Sequence, residues 1–434
     1  MAPQAPAGAT SALRRTPTSI ARPIRDVPLH EAASTPTGVG EFDRVLGSGI
    51  VAGAVILVAG EPGVGKSTLL LDIAARWAAG GRRTLYVSAE ESAAQVRLRA
   101  TRTNALQDAL YLAAETDLGA VLAHIEDLDP ELLVLDSVQA VTVTGAEGVA
   151  GGVAQVREVT NALVRVAKQR RLPVLLVGHV TKDGSVAGPR LLEHLVDVVL
   201  SFEGDRHSGL RLVRASKNRF GPADEVGCFE MAEGGISEVS DPSHLFASAR
   251  SEPLAGTALT VSQEGRRPLL GEVQALVAPT TAPSPRRVAH GLDAGRLSVI
   301  LAVLQRKAQV RLHNKEVYVS TVGGARLVDP AADLAVALAV ASAAADHAFH
   351  RPLIALGEIG LSGEVRRVAA LDRRLAEAAR LGFGLALVPP GCAVTIKGLR
   401  AVEVATVAAA VDLLQLRPAK RRESERPVLW VAEG

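Results

Sequence analysis

Sulfur, aromatic rings and net charge are all scarce in this chain. Its two cysteines, Cys228 and Cys392, lie far apart and fall into no metal-spaced set. A disulfide framework is therefore not expected, a reducing cytoplasm fits, and both read as ordinary buried thiols. Aromatic residues make up only 3% of the chain, too few for a base-stacking platform of many rings. The 48 basic residues nearly balance 46 acidic ones, leaving a formal charge of +2. Any basic surface must then come from local clustering. Long apolar runs are also missing. The most apolar, Ala331 to Ala345, contains Asp333 and is too short to span a bilayer, so it reads as a buried helix and no membrane association is expected. Arg14, Arg15, Arg22 and Arg25 stand near the N-terminus without an apolar segment, which excludes a secretory signal there.

What is present is globular: 48% hydrophobic and 22% charged over 434 residues, a length that suggests two domains. Residues 1–36, rich in Ala, Pro, Thr and Arg without periodicity, read as a disordered arm. Over 37–245, short apolar runs alternate with amphipathic helices. The strands are expected at 54–59, 84–89, 131–136, 173–178, 196–202 and 210–215, and the helices at 66–79, 92–103, 117–127 and 153–170. That alternation predicts an α/β unit, a parallel sheet with helices on both faces. His244 to Glu252 reads as a linker. An α+β unit follows over 250–417, with strands at 257–261, 269–277, 316–320, 353–357 and 384–388 and helices at 293–309, 331–346 and 371–381. A Pro/Thr/Ser-rich loop is expected over 278–287, and 418–434 is a charged tail.

Gly60-Glu61-Pro62-Gly63-Val64-Gly65-Lys66-Ser67 matches the phosphate-binding loop G-x-x-x-x-G-K-[ST] at every fixed position. A strand-like run precedes it and a helical pattern follows, with Leu69, Leu70, Ile73, Ala74 and Trp77 on one face. Such a loop curls its backbone N–H groups around an anion, and the helix N-terminus adds its positive end. The expected nucleotide contacts are residues 60–67 and Thr68, with ATP and Mg²⁺ as ligands. Lys66 would reach the β- and γ-phosphates and the Ser67 hydroxyl would ligate Mg²⁺.

Three further stretches bear on hydrolysis. In Glu131-Leu132-Leu133-Val134-Leu135-Asp136-Ser137 an apolar strand ends in an acid, and Asp136 would hold the Mg²⁺ shell. Tyr86-Val87-Ser88-Ala89-Glu90-Glu91-Ser92 offers two carboxylates after a strand. Glu90, the first, is the candidate base that orients and deprotonates water, whereas Glu91 would alternatively be a first-turn helix acid. His179 opens the polar loop Val180-Thr181-Lys182-Asp183-Gly184 and is a candidate γ-phosphate sensor or else a satisfied structural histidine. Lys217-Asn218-Arg219-Phe220-Gly221 follows the run 210–215 and suits an anion, or is a solvated basic turn.

Together these motifs resemble the bacterial RadA/Sms DNA-repair family, a branch of the RecA-like ATPases. Ser34 to Gly47 is similar to that group's lead-in to the phosphate loop, Gly178 to Gly184 to its next loop, and Lys217-Asn218-Arg219-Phe220-Gly221 matches the family's KNRFG motif in full. The resemblance spans about residues 34–417. It implies a RecA-like P-loop ATPase core and an ATP-driven motor that acts on single-stranded and branched DNA. Branch migration of recombination intermediates is the implied task, in homologous recombination and DNA repair. It also implies homo-hexameric rings, with Lys217 and Arg219 acting across a subunit boundary on the neighbour's γ-phosphate. A recombinase or replicative helicase is the implied protein partner.

The second unit resembles the proteolytic domain of Lon, through Asp329 to Ala335 and Gly357 to Val365. Ala331 stands where a Lon peptidase has its Ser nucleophile, and Asp372 where it has its activating Lys. No peptidase activity is expected. The unit would instead be a ring-forming scaffold and DNA surface. Arg286, Arg287, Arg306, Lys307 and Arg311, together with Lys182, are the candidate phosphate contacts, a solvated helix face being the alternative. RadA/Sms proteins usually begin with a four-Cys zinc element. No Cys precedes Cys228 here, so zinc is not expected. A KaiC-like regulatory ring acting on protein partners is the alternative reading. The KNRFG motif and the Lon-like unit weigh against it.

Overall fold

The computed structural model of the chain describes residues 23–26, 33–146, 148–179, 192–204, 209–232, 234–245, 254–322, 326–350, 352–392 and 396–416. Two short strands, β1 (Ser34–Thr35) and β2 (Ile50–Val51), pair around helix α1 (Gly40–Leu46). The next elements are β3 (Val55–Gly60), α2 (Lys66–Ala79), β4 (Thr84–Ser88), α3 (Ala93–Arg102), β5 (Leu110–Ala114), α4 (Leu118–Leu128), β6 (Leu132–Asp136), α5 (Val153–Arg170) and β7 (Val174–His179). Strands β8 (Val198–Gly204), β9 (Leu210–Asn218), β10 (Val226–Ala232) and β11 (Gly235–Glu238) complete a nine-stranded sheet ordered β11-β10-β9-β8-β3-β7-β6-β4-β5.

Alternation along each central strand sends its side chains to two separate cores. Ile56 and Val58 of β3, Val134 of β6 and Val177 of β7 pack with Phe42, Leu69 and Ile73, which come from α1 and α2. Their neighbours Leu57, Leu135 and Leu176 pack on the other face with Val121, Ile125, Val159 and Leu163 of α4 and α5. Burial on both faces explains why these strands read as continuous apolar runs.

The expectation of a parallel sheet needs correction. Strands β8, β3, β7, β6, β4 and β5 are parallel, but β9, β10 and β11 add antiparallel. The few residues between Gly204 and Leu210 leave no room for a crossover helix, so the chain can only turn back. Strand β5 was not expected. It lies at the sheet edge, where Tyr111 and Leu112 are exposed and the apolar pattern carries little contrast.

The second half builds a seven-stranded sheet from β12 (Thr257–Glu264), β13 (Arg267–Pro279), β14 (Arg287–His290), β15 (Lys315–Thr321), β16 (Ile354–Ala355), β19 (Leu385–Val388) and β20 (Arg400–Glu403), in the order β14-β15-β13-β12-β16-β19-β20. Strands β17 (Glu358–Ile359) and β18 (Val365–Arg366) form a separate pair. Helices α6 (Ala294–Lys307), α7 (Asp333–Ala345) and α9 (Val407–Leu413) share one core, and α8 (Leu371–Arg380) packs in another with Val261, Leu270 and Ile354. Every residue of α7 from Asp333 to Ser342 is buried. Among the described residues no helix is long and apolar enough to cross a membrane. The loop expected over 278–287 is shorter than that, because β13 runs to Pro279 and β14 begins at Arg287.

The β12–β13 hairpin tip meets the first sheet. The Arg267 side chain is 7% exposed and ion-pairs with Glu41 of α1, and its guanidinium also donates to the Ser240 carbonyl at 2.7 Å. Arg214 of β9 pairs with Glu264 at 2.5 Å, and Arg380 of α8 with Asp241 at 2.9 Å. Cys228 is buried, its thiol pushed up to about 11 by burial, whereas Cys392 is only half-buried because it lies in the exposed turn after β19.

Candidate active site

The phosphate-binding loop joins the carboxyl end of β3 to the first turn of α2. Gly65 is the N-cap at φ +112°, a conformation that side chains with a Cβ rarely adopt, and a Cβ there would lie 3.1 Å from the Met231 sulfur. No side chain caps α2, so its first N–H groups keep their anion-binding capacity. Lys66 is 3% exposed, and its ammonium donates to the carbonyls of Gly60 and Glu61, each at 2.9 Å. Burial lowers its pKa to about 8, while Asp136 and Glu90 nearby pull it upward. A buried cation bonded, among the described residues, only to its own loop's carbonyls is an incomplete arrangement that phosphate oxygens would complete. Ser67 and Thr68 follow half-buried in the first turn.

The parallel strands bring the other candidates to the same edge. Register sets Ser88 beside Asp136, and Gly60 beside His179. Asp136 is 6% exposed and accepts from the Tyr86 hydroxyl at 2.7 Å. Glu90 Oε1 takes a hydrogen bond from the Ser137 hydroxyl and lies 3.1 Å from His179 Nε2. Glu90 therefore bridges the ends of β6 and β7. Glu91 is not a first-turn acid: it precedes Ser92, the N-cap of α3, and pairs with Arg99. The nearby Ser88 hydroxyl donates to the Glu91 carbonyl at 2.8 Å, which fixes the turn that projects Glu90.

Lys217 and Arg219 lie elsewhere. Lys217 and Asn218 belong to β9 itself, which runs past 215 because it pairs with β8 through an irregularity at Val199/Leu200. Antiparallel pairing sets Asn218 against Val198, level with Ile56 near the start of β3, whereas Arg211 sits against Gly204. The KNRFG motif is thus at the edge opposite the phosphate loop. The length of β3 alone separates those edges by roughly 17 Å, at about 3.3 Å per residue. There Lys217 donates to the carbonyls of Glu193 and, at 2.8 Å, Val196, and burial with Arg219 nearby lowers its pKa. Asp197, 4% exposed, accepts from Val55 N at 3.0 Å, Lys168 at 2.6 Å and Arg219 at 3.1 Å. Burial pushes the Asp197 carboxyl up, but these donors together hold it below its usual value.

In the second half, Ala331 is 1% exposed and Asp372 is exposed at the start of α8. Neither supplies a nucleophile or an amine. Asp329, two residues before Ala331, is tied to Arg374 at 2.6 Å. Arg286, Arg306, Lys307 and Arg311 are exposed, but Arg287 is half-buried and donates to the carbonyls of Lys315 and, at 2.9 Å, Leu312. Lys182 lies outside the described residues. Sequence reasoning missed Tyr86, Ser137, Asp197 and Arg211. Only Asp197 carried a signal, an acid inside the apolar run Leu195-Val196-Asp197-Val198-Val199.

Known proteins similar to this chain can be named. A family model described as an AAA domain matches residues 41–185. The chain is 56% identical to the DNA repair protein RadA of Mycolicibacterium smegmatis over 92% of its own length and 86% of that protein's. It is 52% identical to the RadA of Mycobacterium tuberculosis over 94% and 85% of the two chains. With the RadA of Bacillus subtilis the identity is 42% over 95% and 91%.

Proposed function

The chain belongs to the bacterial RadA family of DNA-repair proteins, a P-loop ATPase family, and from that membership we propose a DNA-stimulated ATPase that drives branch migration on single-stranded and branched DNA. The observation that carries the reading is the placement of the two basic elements. Lys66, Asp136 and Glu90 share one edge of the sheet, and Lys217 and Arg219 sit at the other. A cation that far from its own phosphate loop does not reach its own nucleotide, so any nucleotide it serves belongs to another copy. This supports a closed homo-oligomer, a hexameric ring, with the KNRFG motif of one subunit at its neighbour's γ-phosphate.

In this reading the N–H groups of residues 63–67 cradle the phosphates and Lys66 moves from its carbonyls onto phosphate oxygens. Ser67 and Asp136 fit a Mg²⁺ ion, the one as a hydroxyl oxygen with no hydrogen-bond partner among the described residues and the other as a buried carboxylate steadied by Tyr86. Held there, Mg²⁺ would neutralise charge developing on the leaving group. Glu90, oriented by Ser137 and His179, accepts the proton of the attacking water. His179 reports the γ-phosphate to the polar loop that follows it. Residues 37–245 form the ATPase domain, and 250–417 a Lon-like scaffold without peptidase activity that adds basic surface for DNA.

The test is ATP hydrolysis by the purified chain, with and without single-stranded DNA, beside Lys66→Ala and Lys217→Ala. Stimulation in the parent, abolished by Lys66→Ala and lost on Lys217→Ala, is expected. Hydrolysis indifferent to DNA would instead favour a nucleotide-dependent ring that serves a protein partner.

A further inference from the structure

Strand β9 carries the KNRFG motif at one end and, at the other, a residue that touches the phosphate loop. Arg211 Nε donates to the Val64 carbonyl at 3.1 Å. To get there its side chain crosses the neighbouring strand at Gly204, its register partner. A Cβ on Gly204 would lie 2.3 Å from Arg211 Cδ, 2.7 Å from its Nε and 3.0 Å from Val64 Cγ2. The passage thus fits the Arg211 side chain, whose Nη1 also donates to the Leu210 carbonyl at 2.8 Å, and only glycine leaves it open.

The contact has a direct consequence for the loop. In a planar trans peptide the C=O of one residue and the N–H of the next point in opposite directions. Fixing the Val64 carbonyl on the β9 side directs the Gly65 N–H away from it, and Gly65 is the N-cap of α2. An amide whose carbonyl already accepts a hydrogen bond is also a stronger donor through its N–H. We infer that Arg211 is a positioning residue for nucleotide binding, which sets the anion-facing N–H groups of the loop by holding the Val64 carbonyl through its Nε. The inference rests on the phosphate loop's binding ATP, as proposed above.

Side-chain geometry supplies the test. In Arg211→Gln an amide nitrogen takes the place of Nε, so the donor survives and the charge does not. In Arg211→Met a methyl group takes that place and both are lost. Parent, Arg211→Gln, Arg211→Met, Gly204→Ala and Lys66→Ala proteins are titrated with a fluorescent ATP analogue and Mg²⁺, and melting temperatures are taken without nucleotide. Arg211→Met and Gly204→Ala should each weaken binding about tenfold, and Arg211→Gln by no more than about twofold. The saturated turnover and the nucleotide-free melting temperature of Arg211→Met should stay near the parent's, a split that a merely structural role would not give. Parental affinity in Arg211→Met, or an Arg211→Gln as weak as Arg211→Met, would overturn the positioning role. The second result would mean that the guanidinium charge acts on phosphate directly. A parent that binds no ATP, or a Lys66→Ala that binds as well as the parent, would remove the nucleotide site itself.

Discussion

The Tyr86 hydroxyl donates to Asp136 Oδ2 over 2.7 Å, with Tyr86 1% and Asp136 6% exposed. Burial, then the Asp136 charge, hold the phenol well above its usual pKa, so its proton stays on the ring oxygen. Tyr86 is a fixed donor and Asp136 a fixed acceptor, which limits the carboxylate to one orientation.

Tyr86→Phe removes that restraint and keeps the ring that fills the core. Nucleotide binding without Mg²⁺ should be unchanged. The Mg²⁺ concentration for half-maximal hydrolysis should rise about fivefold, the order expected for a lost hydrogen bond to a charged group. A Mg²⁺ titration of ATPase rate checks it, and an unchanged midpoint would disconnect Asp136 from the metal.

Lys66 gives nucleotide binding a pH dependence. Its pKa is lowered from 10.5 to about 8 by burial, so the unfolded chain holds this proton more tightly than the folded one. Folded stability from this residue is at its lowest below pH 8 and rises between about 8 and 10.5. Phosphate favours the charged amine, so binding above pH 8 should take up a proton and weaken as pH rises. Calorimetric titrations in buffers of differing ionisation enthalpy measure that uptake. Binding without proton uptake on the alkaline side would contradict it.

Lys66→Ala and Lys217→Ala should each lose at least about a hundredfold in ATPase activity, the scale seen when one charge-stabilising group is removed. Mixed together, they should recover activity beyond the sum of the two. In one of its two head-to-tail orders a mixed pair sets an intact phosphate loop against an intact KNRFG motif. Failure to complement after subunit exchange would place the motif's action within its own chain.

The Arg267–Glu41 pair should matter for stability. Arg267→Met leaves the buried Glu41 carboxylate with only the more exposed Arg44 guanidinium, 3.4 Å away, and should cost about 3 kcal/mol. The double change Arg267→Met with Glu41→Gln should cost less, since no buried charge is stranded. Urea midpoints of the parent, Arg267→Met, Glu41→Gln and the double variant test this. A double loss equal to the sum of the two single losses would show that the pair does not couple.

Much of the ATP-facing edge was legible because its signals are local. The glycine spacing of 60–65 and acids that follow apolar strands identify Lys66, Glu90 and Asp136 without any knowledge of pairing. Tyr86 was not legible, because a core aromatic in an apolar strand looks the same whether or not its hydroxyl meets a carboxylate 50 residues away. The sheet edge that holds Lys217 was not legible for a related reason. Whether a residue lies at one sheet edge or the other depends on strand direction, and β9 reverses because its connection is too short for a helix. Arg211 likewise reads as the polar member of an alternating strand until Gly204 is seen beneath it. In the second half, long α7 follows from its continuous apolar run and the β12–β13 pair from alternation. Strand β20 and helix α9 are too short to stand out.

In the proposed ring, with the phosphate loop and the KNRFG motif at opposite edges of one sheet, activity would depend on counting. An open row of copies always has one loop with no partner motif and one motif with no loop, and an isolated copy has nothing else. Closure alone gives every subunit both a donor and a recipient. Specific activity should therefore fall on dilution well before the fold is lost, and a single capped end would silence one subunit while its neighbours continue.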